Sequence, residues 1–240
     1  MLDTKKIDEN SMLYWYPKIK NLNIPQPRTE IVEVNESIFD LLDGKLPRNI
    51  DEIKRVARKI GYPLFMRTDH LSGKHEWKYT CYVETEKDLI PHISNLVESS
   101  AMAGIVGLPI NALVFRELLK LDYAFKAFNG LPIARERRVF IKDGNVQCIH
   151  AYWVEDAIRF WEAKEPEGWR KKLRELNTVT DEEVEILTEY AEIVGQEVKG
   201  YWSVDFAKSG EKWYLIDMAK GEDSWHPPCE YKLTRDERGA

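Results

Sequence analysis

Cysteine is scarce in this chain: Cys81, Cys148 and Cys229 stand far apart and form no C-x-x-C pair. That spacing excludes a disulfide framework and a cysteine-rich zinc site. Buried structural cysteine is the ordinary reading, and a lone reactive thiol the other. The 5 histidines form no H-x-x-x-H pair of the kind that puts two ligands on one helix face. No apolar run approaches the roughly 20 residues of a membrane span, and MLDTKKIDENSMLYWYPKIK lacks the apolar core of a secretory signal. A cytoplasmic protein is therefore expected. Basic residues are outnumbered, 35 against 41 acidic, for a net charge of -6. No overall positive field gathers polyanions, although a local basic cleft is compatible with that balance. Internal repeats and low-complexity segments are absent.

Apolar and aromatic residues, at 43% and 11%, are plentiful enough to bury a substantial core, which excludes disorder. A length of 240 residues suits one domain of two lobes. Residues 1–30, with Pro17, Pro25 and Pro27, read as an extended lead-in. In NIDEIKRVARKI, Ile50, Ile53, Val56, Ala57 and Ile60 fall on one helical face, with Asn49 as N-cap and Gly61 and Pro63 as the stop. PLFMRT reads as a buried strand, DHLSGKHE as a polar turn, and the alternating WKYTCYVE as a strand paired with the first. TEKD at 85–88 has the form of a capping box, opening a helix with Leu89, Ile93, Leu96 and Val97 inward. NALVFREL reads as a strand, and Asp143-Gly144 turns a hairpin within RERRVFIKDGNVQCIHAYW. Thr180 and Glu183 form a second capping box, opening a helix to about residue 198, and YWSVDFAKSGEKWYLIDMA is a second hairpin. Antiparallel pairs, each set followed by a helix, define an α+β fold.

Four polar clusters lie beside strands. Arg67 closes one strand ahead of Asp69, His70, Ser72, Gly73, Lys74 and His75. A small loop flanked by cations can cover phosphates through backbone N–H groups and charged side chains, and a solvated turn is the plainer alternative. It is not a Walker A loop, because no glycine stands five residues before Gly73-Lys74. Glu117, with Asp122 nearby, either accepts from an exocyclic amine or sugar hydroxyl or is an ordinary strand-end acid. Strand alternation puts Arg135 and Arg137 on one face and Glu136 and Arg138 on the other. One such arginine in a cleft can neutralise a phosphoryl or carboxylate group, and a salt-bridged sheet surface is the competing account. Asp205 and Asp217 sit among apolar residues on the two arms of one hairpin. Carboxylates in that setting are costly unless paired or holding a cation, and facing carboxylates suit Mg²⁺.

These clusters, in this order, resemble the ATP-grasp superfamily. NIPQPRTEIVEV is similar to the family's I-P-x-P-R-T segment, and KIGYPLFMRTDHLSGKHEW to its G-Y-P strand, basic residue and phosphate-covering loop. LVFREL resembles the V-R-E-F hinge, RERRVFIKDG the E-x-R-V-F hairpin, and VDFAKSGEKWYLIDMAKG the closing D-F…Y-L-(E/D)-x-N element. The resemblance spans about residues 18–228. It implies two lobes with antiparallel sheets clasping a nucleotide: a lead-in at 1–30, a smaller lobe with the phosphate loop at 31–112, and a larger lobe at 113–240.

The implied ligands are ATP and Mg²⁺. By resemblance Arg67 replaces the strand-end lysine at the α-phosphate, and Ser72, Gly73, Lys74 and His75 form the loop over the β- and γ-phosphates. Glu117 and Leu119 line the adenine hinge, with Asp122 a candidate ribose contact. Arg138 matches the arginine that stabilises the transferring group, and Asp205 and Asp217 match the Mg²⁺ ligands. Lys18 or Lys20 falls where the family often has its first phosphate lysine. Two features depart from the pattern: Ala219 replaces a metal-binding asparagine, with Asp223 or Glu222 as candidate substitutes, and the usual N-terminal α/β domain has no counterpart in residues 1–30.

The compact layout resembles the phage-associated ATP-grasp proteins predicted to be RNA ligases, whose signature is two arginines and a lysine. It also resembles the eukaryotic cell-division-cycle ATP-grasp protein that assembles a translation initiation factor. The resemblance thus implies an ATP-dependent ligase acting on a carboxylate-bearing molecule or an RNA end, with Arg138 and Lys74 as catalytic residues and Lys74 as candidate site of adenylation. The alternative is a non-catalytic ATP-binding assembly factor with a protein partner. The segment EDSWHPPCEYKLTRDERGA reads as a packed C-terminus or a docking tail for such a partner.

Overall fold

The computed structural model describes residues 8–103, 107–161 and 164–226. The chain enters through a helix, α1 (Met12–Ile19), where an extended lead-in is expected from its prolines. Met12, Trp15 and Ile19 are fully buried at i, i+3 and i+7, and that burial outweighs the intrahelical bond lost at Pro17. The Ser11 hydroxyl caps it, accepting from the Leu13 N–H at 3.2 Å and donating to the buried carboxylate of Asp69 at 2.7 Å.

The smaller lobe is built from β1 (Thr29–Glu33), α2 (Ile50–Ile60), β2 (Leu64–Thr68), β3 (Tyr82–Val83), α3 (Glu86–Ala101) and β4 (Ala112–Glu117). Its antiparallel sheet has the order β1-β4-β2-β3. Ile53, Val56, Ala57 and Ile60 of α2 and Leu89, Ile93, Leu96 and Val97 of α3 close over Val32, Leu64, Met66, Leu113 and Phe115. The capping box at Thr85 and Asp88 is formed, with the Thr85 N–H donating to Asp88 at 2.9 Å. Asn49 precedes α2, but its side chain makes no cap, because its amide donates to the Glu33 carbonyl instead. The strand expected over WKYTCYVE shrinks to two residues. Upstream, Thr80 turns back locally, its N–H and hydroxyl both reaching the Glu76 carbonyl.

Next come a hairpin of β5 (Tyr123–Ala127) and β6 (Leu131–Ala134), then β7 (Glu136–Lys142), β8 (Asn145–Ala151), α4 (Trp169–Asn177), α5 (Asp181–Glu197), β9 (Tyr201–Ser209) and β10 (Lys212–Lys220). The larger sheet has the order β10-β9-β7-β8 and is wholly antiparallel. Leu187, Ala191 and Val194 of α5 share a core with Val139, Ile141, Val204 and Phe206 and with α1. Asp143 and Gly144 turn the β7–β8 hairpin with φ of 48° and 82°, the left-handed pair that a two-residue hairpin loop needs. At the start of α5, Thr180 accepts from the Glu183 N–H, but the return half of the expected capping box is missing. The Glu183 carboxylate is spent on Arg135 and Arg137 instead, at 2.6 and 3.0 Å. The β5–β6 hairpin and α4, which the sequence patterning leaves unassigned, form their own aromatic core around Phe125, Phe128, Trp153 and Trp169. Among the described residues no helix is long and apolar enough to cross a membrane.

Candidate functional site

A cavity of about 380 Å³ lies where the two large sheets and the β5–β6 hairpin meet. Its volume is in the range of small-molecule sites. One wall is apolar: Phe65 of β2, Leu118, Leu119 and Leu121 after β4, Leu131 and Pro132 of β6, and Ile216 of β10. Trp77 and Tyr82 extend that wall, their rings stacked at 5.6 Å, with Phe65 at 6.0 Å from Trp77.

Charged groups from both lobes converge on the same cavity. Arg67, at the end of β2, reaches across the cleft to Asp217 of β10, Nη1 to Oδ1 at 2.7 Å. Asp217 stands opposite Asp205 in the β9–β10 register because a bulge between Leu215 and Asp217 shifts the pairing by one residue. The bulged Ile216 turns its carbonyl to Arg116 of β4, which is almost fully buried. Burial opposes the charge of Asp217, but Arg67 and then Arg116 hold its pKa below the ordinary aspartate value. Arg116 is pushed down to about 10, first by burial and then by Arg67, with Asp217 opposing.

On the other side of the cleft, Arg138 of β7 grips Asp205 with two bonds, Nε to Oδ1 and Nη2 to Oδ2, each 2.8 Å. Burial disfavours its charge, and Asp205 more than restores it, so its pKa rises. Glu136, two residues earlier and on the same face, lies 3.5 Å from the Lys74 ammonium. Burial raises the Glu136 pKa, against the pull of Lys74. Lys74 sits over the Tyr152 ring at 3.9 Å and the Trp153 ring at 4.7 Å. Burial opposes its charge, but Glu136 and then Tyr152 raise its pKa.

Of the residues proposed from the sequence, Arg67, Ser72, Lys74, Glu117, Leu119, Asp205 and Asp217 line this cavity. Arg138 is joined to it through Asp205. Glu117 has a structural engagement as well, since its carboxylate accepts the Arg28 N–H at 2.8 Å. Gly73 and His75 are turned away from the lining. Gly73 adopts φ 63°, and a Cβ there would come within 2.8 Å of Leu96, so the loop is seated on α3. His75 stacks on Phe128 at 4.4 Å, and burial, then Lys74, lower its pKa. Asp122 lies in a separate shallow groove with Arg135 and Lys172 and receives the Gly210 N–H at 3.4 Å, outside the cavity lining. Lys18 and Lys20 are exposed on or beside α1 and do not line the cavity either.

Two charged residues at the site were not singled out from the sequence. Arg116 was hidden because it falls in a strand whose other side chains are apolar. Glu136 carried a signal, since alternation already put it on the face of Arg138. Near the position of Ala219, the proposed substitutes lie elsewhere: Asp223 accepts from the Asn10 amide at 2.7 Å, and neither it nor Glu222 lines the cavity.

Comparisons with known proteins agree with this arrangement. Among curated proteins none matches the chain. Among solved structures, Cdc123 from Schizosaccharomyces pombe superposes with a TM-score of 0.56 at 12% identity, covering 88% of this chain and 83% of that one. D-alanyl-alanine synthetase A from Vibrio cholerae O1 biovar eltor superposes with a TM-score of 0.50 at 17% identity, covering 89% of this chain and 55% of that one. These likenesses are likenesses of fold. Residues 57–235, well over half of the chain, match the ATP-grasp domain of family 3 in the clade named for two arginines and a lysine, and the chain belongs to that family.

Proposed function

We propose that the chain binds ATP with Mg²⁺ in the interlobe cleft and uses it in an ATP-dependent ligase reaction of the phosphoryl-transfer kind. The observation that carries this reading is the convergence of Arg67, Lys74, Arg116 and Arg138 with Asp205, Asp217 and Glu136 about one cavity that also has an apolar wall. The apolar wall suits a flat purine, and the cations suit a polyphosphate. Asp205 and Asp217, paired across adjacent strands, offer the oxygen ligands that Mg²⁺ takes. When bound, the ion would neutralise phosphate charge. Each carboxylate now spends its charge on an arginine, so holding the ion requires Arg138 and Arg67 to turn toward the phosphates, which need them there.

The state of Lys74 favours phosphoryl over adenylyl transfer. A lysine attacks phosphorus through a neutral amine, and Glu136 and Tyr152 hold this one protonated. Its place is that of a fixed positive charge. In the reaction proposed, a substrate carboxylate oxygen attacks the γ-phosphorus and ADP leaves. An amine or thiol then attacks the acyl phosphate and releases inorganic phosphate.

Calorimetric titration of ATP with and without Mg²⁺, followed by analysis of products in the presence of carboxylate and amine donors, tests the proposal. Magnesium-dependent binding with formation of ADP and phosphate is expected. AMP and pyrophosphate would replace phosphoryl by adenylyl transfer and point to an RNA end as acceptor. Binding without turnover in any mixture would move the protein to the assembly-factor class, and no binding at millimolar ATP would overturn the reading.

A further inference from the structure

Away from the nucleotide cleft, three metal-ligating side chains meet at the edge of the larger sheet. Cys148 and His150 are two residues apart on β8 and so project to the same face. His226, on the segment after β10, lies over them. The Cys148 Sγ is 3.1 Å from the His226 Nε2, and the rings of His150 and His226 are 4.9 Å apart at 71°. One donor atom from each of the three residues falls within 4.8 Å of the others. Zinc bonds of about 2.3 Å to sulfur and about 2.0 Å to nitrogen require ligand atoms roughly 3–4 Å apart, so small side-chain adjustments complete the geometry.

A second, independent observation points to a ligand. His150 is 5% exposed, and its Nε2 is buried without a hydrogen-bond partner. A buried imidazole nitrogen in that condition is costly, and a metal is the partner that a neighbouring thiol and imidazole would share with it. A nucleophilic Cys–His pair does not fit, because Cys148 is 1% exposed and no substrate reaches it.

We propose that Cys148, His150 and His226 bind a zinc ion that pins the segment after β10 onto β8. The one thiolate and two imidazoles form a softer donor set than the all-oxygen pair in the cleft, so the two sites select different ions. In sequence, Cys229 stands three residues after His226, a spacing common between paired zinc ligands, and lies outside the described residues. The pinned segment also touches the cleft: Arg138 donates to the carbonyl of Trp225, the residue before His226, at 3.3 Å. The zinc site therefore helps hold an arginine of the nucleotide site in place.

Elemental analysis of desalted protein and titration with Co²⁺ test this without ATP. The expected result is one equivalent of zinc per chain and a cobalt spectrum with a thiolate-to-metal band. Cys148→Ser and His226→Ala should each weaken the metal by more than about tenfold and remove or shift that band. His226 is exposed, so His226→Ala should keep its fold by circular dichroism, and Asp217→Asn should keep its zinc. Absence of stoichiometric metal, or metal retained equally by both ligand variants, would overturn the proposal.

Discussion

Arg67 and Asp217 lie 2.7 Å apart, joining the end of β2 in one lobe to the bulged β10 in the other. Side-chain exposures of 4% and 32% place the arginine inside the protein and the carboxylate at the cavity edge. In Asp217→Asn, Arg67 and Arg116 keep their charge and lose their common counter-ion. The variant is expected to bind Mg-ATP about tenfold more weakly, about 1.4 kcal/mol, and to lose most of the magnesium dependence of binding. Calorimetry at fixed ATP and varied Mg²⁺ reads this. Unchanged affinity and unchanged magnesium dependence would remove Asp217 from the metal site.

The environment of Lys74 makes a separate expectation. If the residue acts as a held charge, Lys74→Arg keeps a measurable part of the activity and Lys74→Met loses it by about 100-fold or more. Mass spectrometry of wild-type protein incubated with Mg-ATP should show no adenylyl adduct. A stable adduct on Lys74, abolished in Lys74→Arg, would show instead that its amine is the nucleophile.

Asp69 is the carboxylate on which the lobes' entry points converge. It accepts from the Ser11 hydroxyl at 2.7 Å, the Asn111 N–H at 3.0 Å and the Asn111 amide at 3.1 Å. Burial works to raise its pKa, but His70, Ser11 and Asn111 together bring it from 3.8 down to about 2. A depressed carboxylate stabilises the fold above its unfolded pKa and loses that contribution as pH falls through the folded one. The window is therefore between about pH 4 and pH 2, and the contribution is about 2 kcal/mol. Denaturant melts across that range should show the loss in the wild type and a flatter profile in Asp69→Asn, which is already destabilised at pH 7.

Much of this architecture was legible in the sequence where a single period was clean. The five apolar positions of α2, the Asp143-Gly144 turn and the alternation that sends Arg135 and Arg137 to one face and Glu136 and Arg138 to the other are all present. The helix α1 was obscured because Pro17 speaks against a helix locally while Met12, Trp15 and Ile19 are rewarded only by distant partners. Asp122 and His75 carry the residue types of a ligand contact, but whether they reach the cavity depends on tertiary packing that spacing does not encode. The Cys148, His150 and His226 cluster is the clearest such case. Its members are separated by most of the larger lobe, and only the return of the chain after β10 brings them together.

The ion-pair triad behind the sheet gives the last expectation. Arg137 is fully buried, bonds Glu183 at 3.0 Å, and also donates to the carbonyls of Leu176 and Thr178 at 3.1 and 3.0 Å, so it fastens the end of α4 to β7. Burial lowers its pKa, against the pull of Glu183. Glu183→Ala would leave a buried guanidinium without its carboxylate, at a cost of about 3 kcal/mol. For a chain of this size that lowers Tm by roughly 6–12 °C. Arg137→Met alone should cost a similar amount, because Glu183 is then buried with only Arg135. The double variant should be clearly more stable than the sum of the two, since neither leaves the other's charge unpaired. Additive losses in thermal melts would show that Arg137 acts mainly through the α4 carbonyls rather than through Glu183. Because the triad lies on the face of β7 opposite Arg138, ATP affinity measured below the melting range should stay within about twofold of the wild type in all three variants.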